Sequence, residues 1–134
     1  PRIVFHQTWA YSKDSNHDGF RRYGNSQKQM YEAIMDCSHR VMTDLKPDVL
    51  VPAGTAIQNA RTSALGDSLN RDGFHLNYIY GRYTAACTWF EAITGKSVIG
   101  NTYTPKGITP QQKSIAQKAA HAAVKKPFEV TTIE

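Results

Sequence analysis

The sequence predicts an α/β protein with a mostly parallel sheet. Short, continuous apolar runs at Ile3–Phe5 and Val49–Val51 are typical of buried parallel strands. A segment with apolar residues at helical spacing follows each run, so the order is strand, helix, strand, helix. This order predicts a right-handed βαβ unit. Two strands are too few for a doubly covered sheet of ordinary width, so we expect the chain either to be part of a larger α/β domain or to pair its sheet with another chain.

The first predicted strand and the first predicted helix are separated by a long polar segment, Tyr11–Gly24. Loops of this length in compact domains are often functional. Ser26 and Gln29 have the spacing of a capping box, which predicts the start of the helix. Pro47 ends the helical pattern. The apolar face of this helix contains Met30, Ile34, Cys37, Val41 and Leu45.

Two further helices are predicted after the second strand. The first of them presents Ile57, Ala60 and Ala64 on one face. A polar loop, Gly66–Arg71, then precedes a helix that is expected to begin near Leu76. Gly95 is a plausible C-cap for that helix. Its apolar face is formed by Ile79, Tyr83, Ala86, Phe90 and Ile93.

The last predicted helix has clear signals at both ends. Thr109 is the expected N-cap, Pro110 occupies the first helical position, and Gln112 completes a capping box. Pro127 ends the pattern. The inner face contains Ile115, Ala119 and Ala122.

Length and charge exclude some classes of function. The 134 residues correspond to a single domain or a portion of one, and no apolar run reaches the roughly 20 residues of a membrane span. The formal charge of +5 is dispersed. Its densest cluster lies near the C-terminus without interleaved aromatic residues, which favours a solvated helix face over nucleic-acid binding. This cluster contains Lys113, Lys118, Lys125 and Lys126.

The cysteines and histidines do not predict a cofactor or a metal site. Cys37 and Cys87 fall on apolar helix faces, so we expect buried free thiols. Neither a CxxC motif nor a Cys/His zinc spacing occurs, and the remaining histidines and aspartates have no recognised ligand spacing. The chain opens directly into a strand, so we expect more chain upstream of Pro1 and any export signal to lie there.

The segment from Asp72 to Asn77 carries the chemistry that the sequence predicts. A serine hydroxyl needs a base within hydrogen-bonding distance, and the pKa of histidine suits that task. The histidine in turn needs a carboxylate that fixes its tautomer. Asp72 and His75 are three residues apart, so one tight turn can present both, and Gly73 gives that turn its freedom. Spacing alone leaves a structural alternative open, in which Asp72 caps the following helix.

Asp72-Gly73-Phe74-His75-Leu76, after a Val-Leu-Val strand and an intervening helix, resembles the final block of the SGNH (GDSL-type) hydrolases. With the segment Val4–Tyr11, it further resembles a bacterial branch of that superfamily without an assigned function. The resemblance implies a three-layer, flavodoxin-like α/β/α fold, of which residues 1–134 are the C-terminal portion. The N-terminal half of the same domain is then the expected partner of this chain.

The resemblance also implies roles for individual residues. Asp72 becomes the orienting acid and His75 the general base of a Ser-His-Asp triad. The family's serine and oxyanion-hole blocks are not recognisable here, so the nucleophile is expected outside this chain. Gly66-Asp67-Ser68-Leu69 spells the family's nominal signature, but a predicted helix precedes it where the motif needs a strand. Ser68 is therefore interpreted as a loop serine.

Residues near the predicted sheet edge are candidates for substrate binding. His6, Trp9 and Tyr11 follow the first strand, where α/β proteins usually place ligands. Trp9 and Tyr11 can stack on a sugar ring, although core packing explains Trp9 equally well. Asn77 flanks the Asp72–His75 pair and is expected either to contact substrate or to cap the helix.

The sequence thus leads to two hypotheses about function. The first is a serine-dependent ester hydrolase acting on a small-molecule or glycan ester, with acetylated carbohydrate suggested by analogy with the superfamily, no cofactor, and a secreted or periplasmic location. The second is a non-catalytic carbohydrate-binding α/β module that uses Trp9, Tyr11 and the long polar loop.

Overall fold

The computed structural model describes residues 1–134 and contains two β-strands and four α-helices. Strands β1 and β2 pair in parallel, with Val4 opposite Val49 and His6 opposite Val51. The predicted α/β class with a small parallel sheet is confirmed. None of the helices combines the length and the apolarity that crossing a bilayer requires. The elements are β1 (Val4–His6), α1 (Gln27–Asp44), β2 (Val49–Val51), α2 (Ala53–Arg61), α3 (Tyr80–Thr94) and α4 (Pro110–Lys125), with a 3₁₀ helix at Asp18–Tyr23.

Helix α1 covers the segment that follows β1. It begins at the predicted N-cap, where the Ser26 hydroxyl accepts from the Gln29 N–H at 3.2 Å. Its buried face packs against Ala10 after β1 and against Phe20 in the 3₁₀ helix. The long polar loop is therefore pinned to the body of the protein by one buried aromatic side chain. The helix residues in this cluster are Met30, Tyr31, Ile34 and Met35.

The largest apolar cluster lies between α2, α4 and the loop that carries Asp72 and His75. Leu69 and Leu76, at the two ends of that loop, are buried against Ile57 of α2 and Ile115 of α4. Trp9 packs against the same cluster from the exit of β1. Burial of a leucine side chain contributes about 1.5–3 kcal/mol, so the base of the loop is firmly held.

Helix α3 buries Tyr83 and packs Phe90 as predicted, but its buried face also contains polar side chains that were not predicted. Its buried side chains include Thr84, Thr88 and Glu91, whereas Ile93 is exposed. Thr84 and Thr88 satisfy their hydroxyl groups by donating to carbonyl groups one turn earlier, Tyr80 and Thr84 respectively. The predicted face was wrong at Ile93, and the buried threonines were missed because local hydrogen bonds let polar residues face the core, which a count of apolar residues does not detect.

The two cysteines differ from each other. Both are free, and Cys87 is buried as predicted. Desolvation raises the pKa of the Cys87 thiol to about 11, so it is not a reactive thiolate at neutral pH. Cys37 is exposed, and the prediction that it is buried was wrong. The buried face of α1 runs through Ile34, Met35 and Ser38 instead, and Leu45 at the end of the predicted face is exposed as well.

The start of α2 presses directly on the chain that leaves β1. The Gly54 N–H donates to the Gln7 carbonyl, and the Thr55 N–H donates to the Gln7 side-chain oxygen at 2.9 Å. A methyl group at Gly54 would collide with the Thr8 carbonyl oxygen. This close approach fixes where the chain points when it reaches Trp9.

We expect Gly54→Ala to lower the free energy of unfolding by about 1–3 kcal/mol, because the added methyl group meets backbone that cannot move away. Urea unfolding followed by circular dichroism measures the loss. Gly19→Ala is the control, since its methyl group meets only the movable ring of His17. Equal stability of the two variants would contradict the close approach.

Candidate functional site

Asp72 and His75 lie at the tip of a short hairpin-like loop. Asn70 and Leu76 form an antiparallel bridge, and the Arg71 N–H donates to the His75 carbonyl at 2.9 Å. The expectation that a helix begins near Leu76 was wrong, because Leu76 pairs across this loop. The helix begins at Tyr80.

The side chains of Asp72 and His75 are joined directly. His75 Nδ1 lies 2.7 Å from Asp72 Oδ2, while Asp72 Oδ1 accepts from the backbone N–H groups of His75 at 2.7 Å and Phe74 at 3.2 Å. The Asp72 carboxylate thus stabilises the turn in which it lies and fixes the orientation of the His75 ring. Asp72 does not cap α3, so this structural alternative is excluded.

Hydrogen bonding determines the protonation state of Asp72. Partial desolvation raises its pKa, but hydrogen bonds from the His75 ring and from the His75 and Phe74 amides together lower the pKa to about 2. An ionised carboxylate only accepts hydrogen bonds, so His75 Nδ1 carries the proton in this pair. The other ring nitrogen, Nε2, makes no hydrogen bond within the chain, and the His75 side chain is 55% exposed.

The chain that leaves β1 supports the back of this loop. The Trp9 indole N–H donates to the Phe74 carbonyl at 2.8 Å. The Ser12 N–H donates to the Gly73 carbonyl at 2.9 Å, and Gly73 adopts a positive φ of 90° that favours glycine. Trp9 is therefore both packed in the core and bonded to the loop, and its indole nitrogen is occupied.

A buried arginine joins these parts of the structure. The Arg61 side chain is only 5% exposed, and its Nη2 donates both to the Ala10 carbonyl at 2.9 Å and to Asn70 Oδ1 at 2.6 Å. Asn70 in turn donates to the Phe74 carbonyl at 3.0 Å. Arg61 thereby connects the end of α2, the exit of β1 and the loop of the Asp72–His75 pair.

Asp67 balances the charge of Arg61. Asp67 Oδ1 lies 2.9 Å from Arg61 Nε and also accepts from the Gln27 amide at 2.8 Å, while Oδ2 accepts from the Lys13 N–H at 2.6 Å. Desolvation lowers the pKa of Arg61 to about 10, and the nearby Asp67 carboxylate opposes this shift. The guanidinium therefore stays charged at neutral pH.

Ser68 is bonded within its own turn. Its hydroxyl donates to the Leu65 carbonyl at 2.7 Å and accepts from the Tyr80 hydroxyl at 2.9 Å. No hydrogen bond links Ser68 to His75. Gly66-Asp67-Ser68-Leu69 thus has a structural role in this chain, with Asp67 as the ion-pair partner of Arg61 and Leu69 in the core.

Asn77 organises the start of α3. Its side-chain oxygen accepts from the Ile79 N–H at 3.2 Å and the Gly81 N–H at 2.8 Å, and its amide donates to the Ser68 carbonyl. The predicted capping role of Asn77 matches these bonds. One amide N–H remains for a ligand, so substrate contact stays a prediction.

Tyr11 belongs to an aromatic group beside the pair. Its ring centroid is 5.8 Å from that of Phe74 and 5.0 Å from that of His17. Phe74 in turn lies 4.3 Å from the ring of His75. The ring of His6 stands apart from this group, at 6.1 Å from Trp9 and 5.3 Å from Trp89, and partial desolvation lowers its pKa.

A second histidine–carboxylate pair lies between α3 and α4. His121 Nδ1 is 2.8 Å from Glu91 Oε1, and Glu91 Oε2 accepts from the Val98 N–H at 2.8 Å. Glu91 is buried and ties the loop after α3 to both helices. This pair has a structural role between the two helices, whereas the pair of Asp72 and His75 is exposed.

Sequence reasoning missed Ser12, Asn70 and the role of Arg61. Each acts through a contact with residues far away in the sequence, so no local pattern marks it. Asn70, at the border of the predicted loop Gly66–Arg71, carried the only available signal, because asparagine is frequent at tight turns. No group of three or more His, Cys, Asp or Glu side chains is arranged to hold a metal ion.

The family follows from comparison with known proteins. A family model described as "Domain of unknown function (DUF4886)" matches residues 2–123. The chain belongs to the DUF4886 family. Its fold is similar to the crystal structure of a DUF4886 family protein from Bacteroides uniformis ATCC 8492, with a TM-score of 0.94 and 50% sequence identity over 97% of this chain. The chain spans 50% of the length of that protein. No curated protein matches the chain.

We expect Arg61→Met to lower the free energy of unfolding by about 3–5 kcal/mol, because it leaves Asp67 without its cation and the Ala10 carbonyl and Asn70 without a donor. Chemical denaturation measures the change. Arg40→Met removes the same charge from an exposed position on α1 and should cost less than about 0.5 kcal/mol. Similar losses in the two variants would show that Arg61 has no special role.

We expect the carboxyl group of Asp72 to titrate at about pH 2 and to titrate at a higher pH in His75→Ala, because the ring hydrogen bond that lowers the pKa is removed while the backbone bonds remain. Carbon-13 NMR of the carboxyl group measures both midpoints. Since the pKa is lower in the folded protein than the ordinary 3.8, the stabilisation from this group is complete above pH 3.8 and is lost as the pH falls through 2. An unchanged midpoint in His75→Ala would contradict the bond.

Proposed function

We propose that this chain is the C-terminal part of an SGNH-like serine ester hydrolase and supplies the acid and the base of its catalytic triad. The observation that carries the proposal is the 2.7 Å bond between Asp72 and His75 Nδ1, which leaves the exposed Nε2 of His75 free to face a nucleophile. Asp72 meets the need of such an acid to remain ionised, because its pKa is about 2.

The proposed fold of the complete domain is a three-layer, flavodoxin-like α/β/α sandwich. The two-stranded parallel sheet supports this proposal, because a doubly covered parallel sheet needs more strands than β1 and β2. In this proposal, strands from an N-terminal half pair with the free edge of the sheet and bring the nucleophilic serine to its carboxyl end. The relative from Bacteroides uniformis is about twice as long as the matched region, which leaves room for such a half.

The proposed reaction is acyl transfer followed by hydrolysis. The serine oxygen attacks the ester carbonyl while His75 Nε2 takes the hydroxyl proton, and Asp72 stabilises the imidazolium ion. The oxyanion then collapses, the alkoxide leaves, and His75 returns the proton to it. A water molecule then gives its proton to His75 and attacks the acyl group, and the released serine oxygen recovers the proton from His75. Donors outside residues 1–134 would stabilise the oxyanion.

The substrate proposed is a small-molecule or glycan ester, such as an acetylated carbohydrate. Tyr11 supports this class, because its ring lies in an aromatic group that continues through Phe74 to His75. Trp9 contributes mainly by fixing the loop, since its indole N–H is already bonded to Phe74. Action on such esters fits the secreted or periplasmic location that we propose.

A specific observation favours a second function, a carbohydrate-binding module without catalysis. No serine of this chain is hydrogen-bonded to His75, and Ser68 is committed to Leu65 and Tyr80. In that case, glycan binding would survive His75→Ala, and no longer form of the protein would hydrolyse an ester.

We expect a fluorophosphonate to label one serine outside residues 1–134 in the full-length natural protein, as detected by intact mass and peptide mapping. His75→Ala should reduce both labelling and ester turnover by about 10⁴-fold or more, because the nucleophile loses its base. His39→Ala, on the exposed surface of α1, should change neither. An adduct on Ser68 would overturn its structural role, and an unlabelled full-length protein would favour the binding module.

A further inference from the structure

Two guanidinium groups stack on one exposed tyrosine next to the Asp72–His75 pair. The guanidinium carbon of Arg71 lies 4.7 Å from the ring centroid of Tyr78, and that of Arg82 lies 4.5 Å from it. Tyr78 itself is 62% exposed. Arg71 also reaches to within 3.9 Å of Asp72 Oδ2, so this cluster begins at the candidate catalytic pair.

The positive charge of this cluster is only partly compensated within the chain. The carboxylate nearest to Arg71 is that of Asp72, which already accepts from the His75 ring and from two backbone amides. Arg82 forms no ion pair. Two cations near one ring repel each other, and an anion at this position would relieve the repulsion. The tyrosine ring partly offsets the repulsion, because its face attracts cations.

The backbone around Tyr78 is fixed, so the cluster keeps its place. Asn77 binds the Ile79 and Gly81 N–H groups through its side chain, and its carbonyl accepts from the Arg82 N–H at 3.1 Å. Gly81 packs so closely on the Leu69 carbonyl that a side chain there would collide with it. The same turn therefore sets the position of Tyr78 relative to the loop of Asp72 and His75.

We infer that Arg71, Tyr78 and Arg82 bind an oxyanion group, a carboxylate or a sulfate, on the substrate of the neighbouring catalytic pair. The arginine side chain offers a planar set of N–H donors that matches the oxygens of both groups. The inference deepens the proposed function, on which it rests: the ester is acidic, as in a partly esterified glycan that carries uronate or sulfate groups. Arg82 is a substrate-binding residue in this assignment and takes no part in bond breaking.

The test compares esters that differ only in charge, using the full-length natural protein. The neutral probe is methyl 4-acetoxybenzoate, and the anionic probes are 4-acetoxybenzoate and 4-acetoxybenzenesulfonate. We expect kcat/KM to favour the anionic probes, and Arg82→Gln to lower this preference by about fivefold to tenfold through KM, because one charge-assisted bond is lost. Arg82→Lys should retain part of the preference. The matched control, Arg40→Gln, should retain all of it. The two anionic probes distinguish a carboxylate site from a sulfate site.

A binding experiment separates failure of this inference from failure of the esterase proposal. Titration with benzoate should shift the NMR signals of the Arg71 and Arg82 Nε–H groups in the wild-type protein, whereas methyl benzoate should not. If none of the three esters is hydrolysed but the benzoate shifts occur, the esterase proposal fails and the anion site stands. The anion site is overturned if benzoate leaves these signals unchanged, or if Arg82→Gln hydrolyses neutral and anionic esters in the wild-type ratio.

Discussion

The burial of one guanidinium group governs the arrangement of the site. Arg61 is almost fully enclosed, and removing such an ion from water costs several kcal/mol unless its donors are satisfied. The Ala10 carbonyl, Asn70 and Gln58 accept hydrogen bonds from its terminal nitrogens, and the Asp67 carboxylate compensates its charge. These groups come from the exit of β1, from α2 and from the loop before α3. Because Arg61 contacts all these segments at once, none of them can move without breaking one of its contacts.

The residues that stabilise the loop are different from the residues that carry its candidate chemistry. The residues that hold the loop are buried or bonded to backbone, as Leu76, Asn70 and Trp9 are, whereas the Asp72–His75 pair at its tip is largely exposed. An exposed ion pair contributes little to the stability of a fold. The pair is therefore a poor explanation for the stability of the loop, and the loop is well suited to presenting the pair in a fixed orientation.

Local features of the structure could be predicted from the sequence, whereas contacts between residues far apart in the chain were predicted less well. Helix starts at Ser26 and Thr109 follow from capping patterns within four residues, and the structure has both. The contact of Asp72 with His75 is local in the same sense. The bonds of Arg61 span up to 51 residues, and the buried face of α3 depends on which neighbours meet Thr84 and Thr88. Such choices are made by tertiary packing, which no window of sequence contains.

The Gly-Asp-Ser-Leu segment shows that the position of a motif in the fold must be known before a function is assigned to it. A nucleophilic serine needs a turn at the carboxyl end of a strand, because only there is its hydroxyl both exposed and within reach of the histidine. Ser68 is exposed, but it follows α2, its hydroxyl donates to a carbonyl in its own turn, and it makes no hydrogen bond with His75. Asp67 nevertheless has a structural role, since its carboxylate neutralises the buried Arg61. The Gly66–Leu69 segment therefore stabilises the loop of His75. Any triad serine must reach His75 Nε2 from another part of the domain.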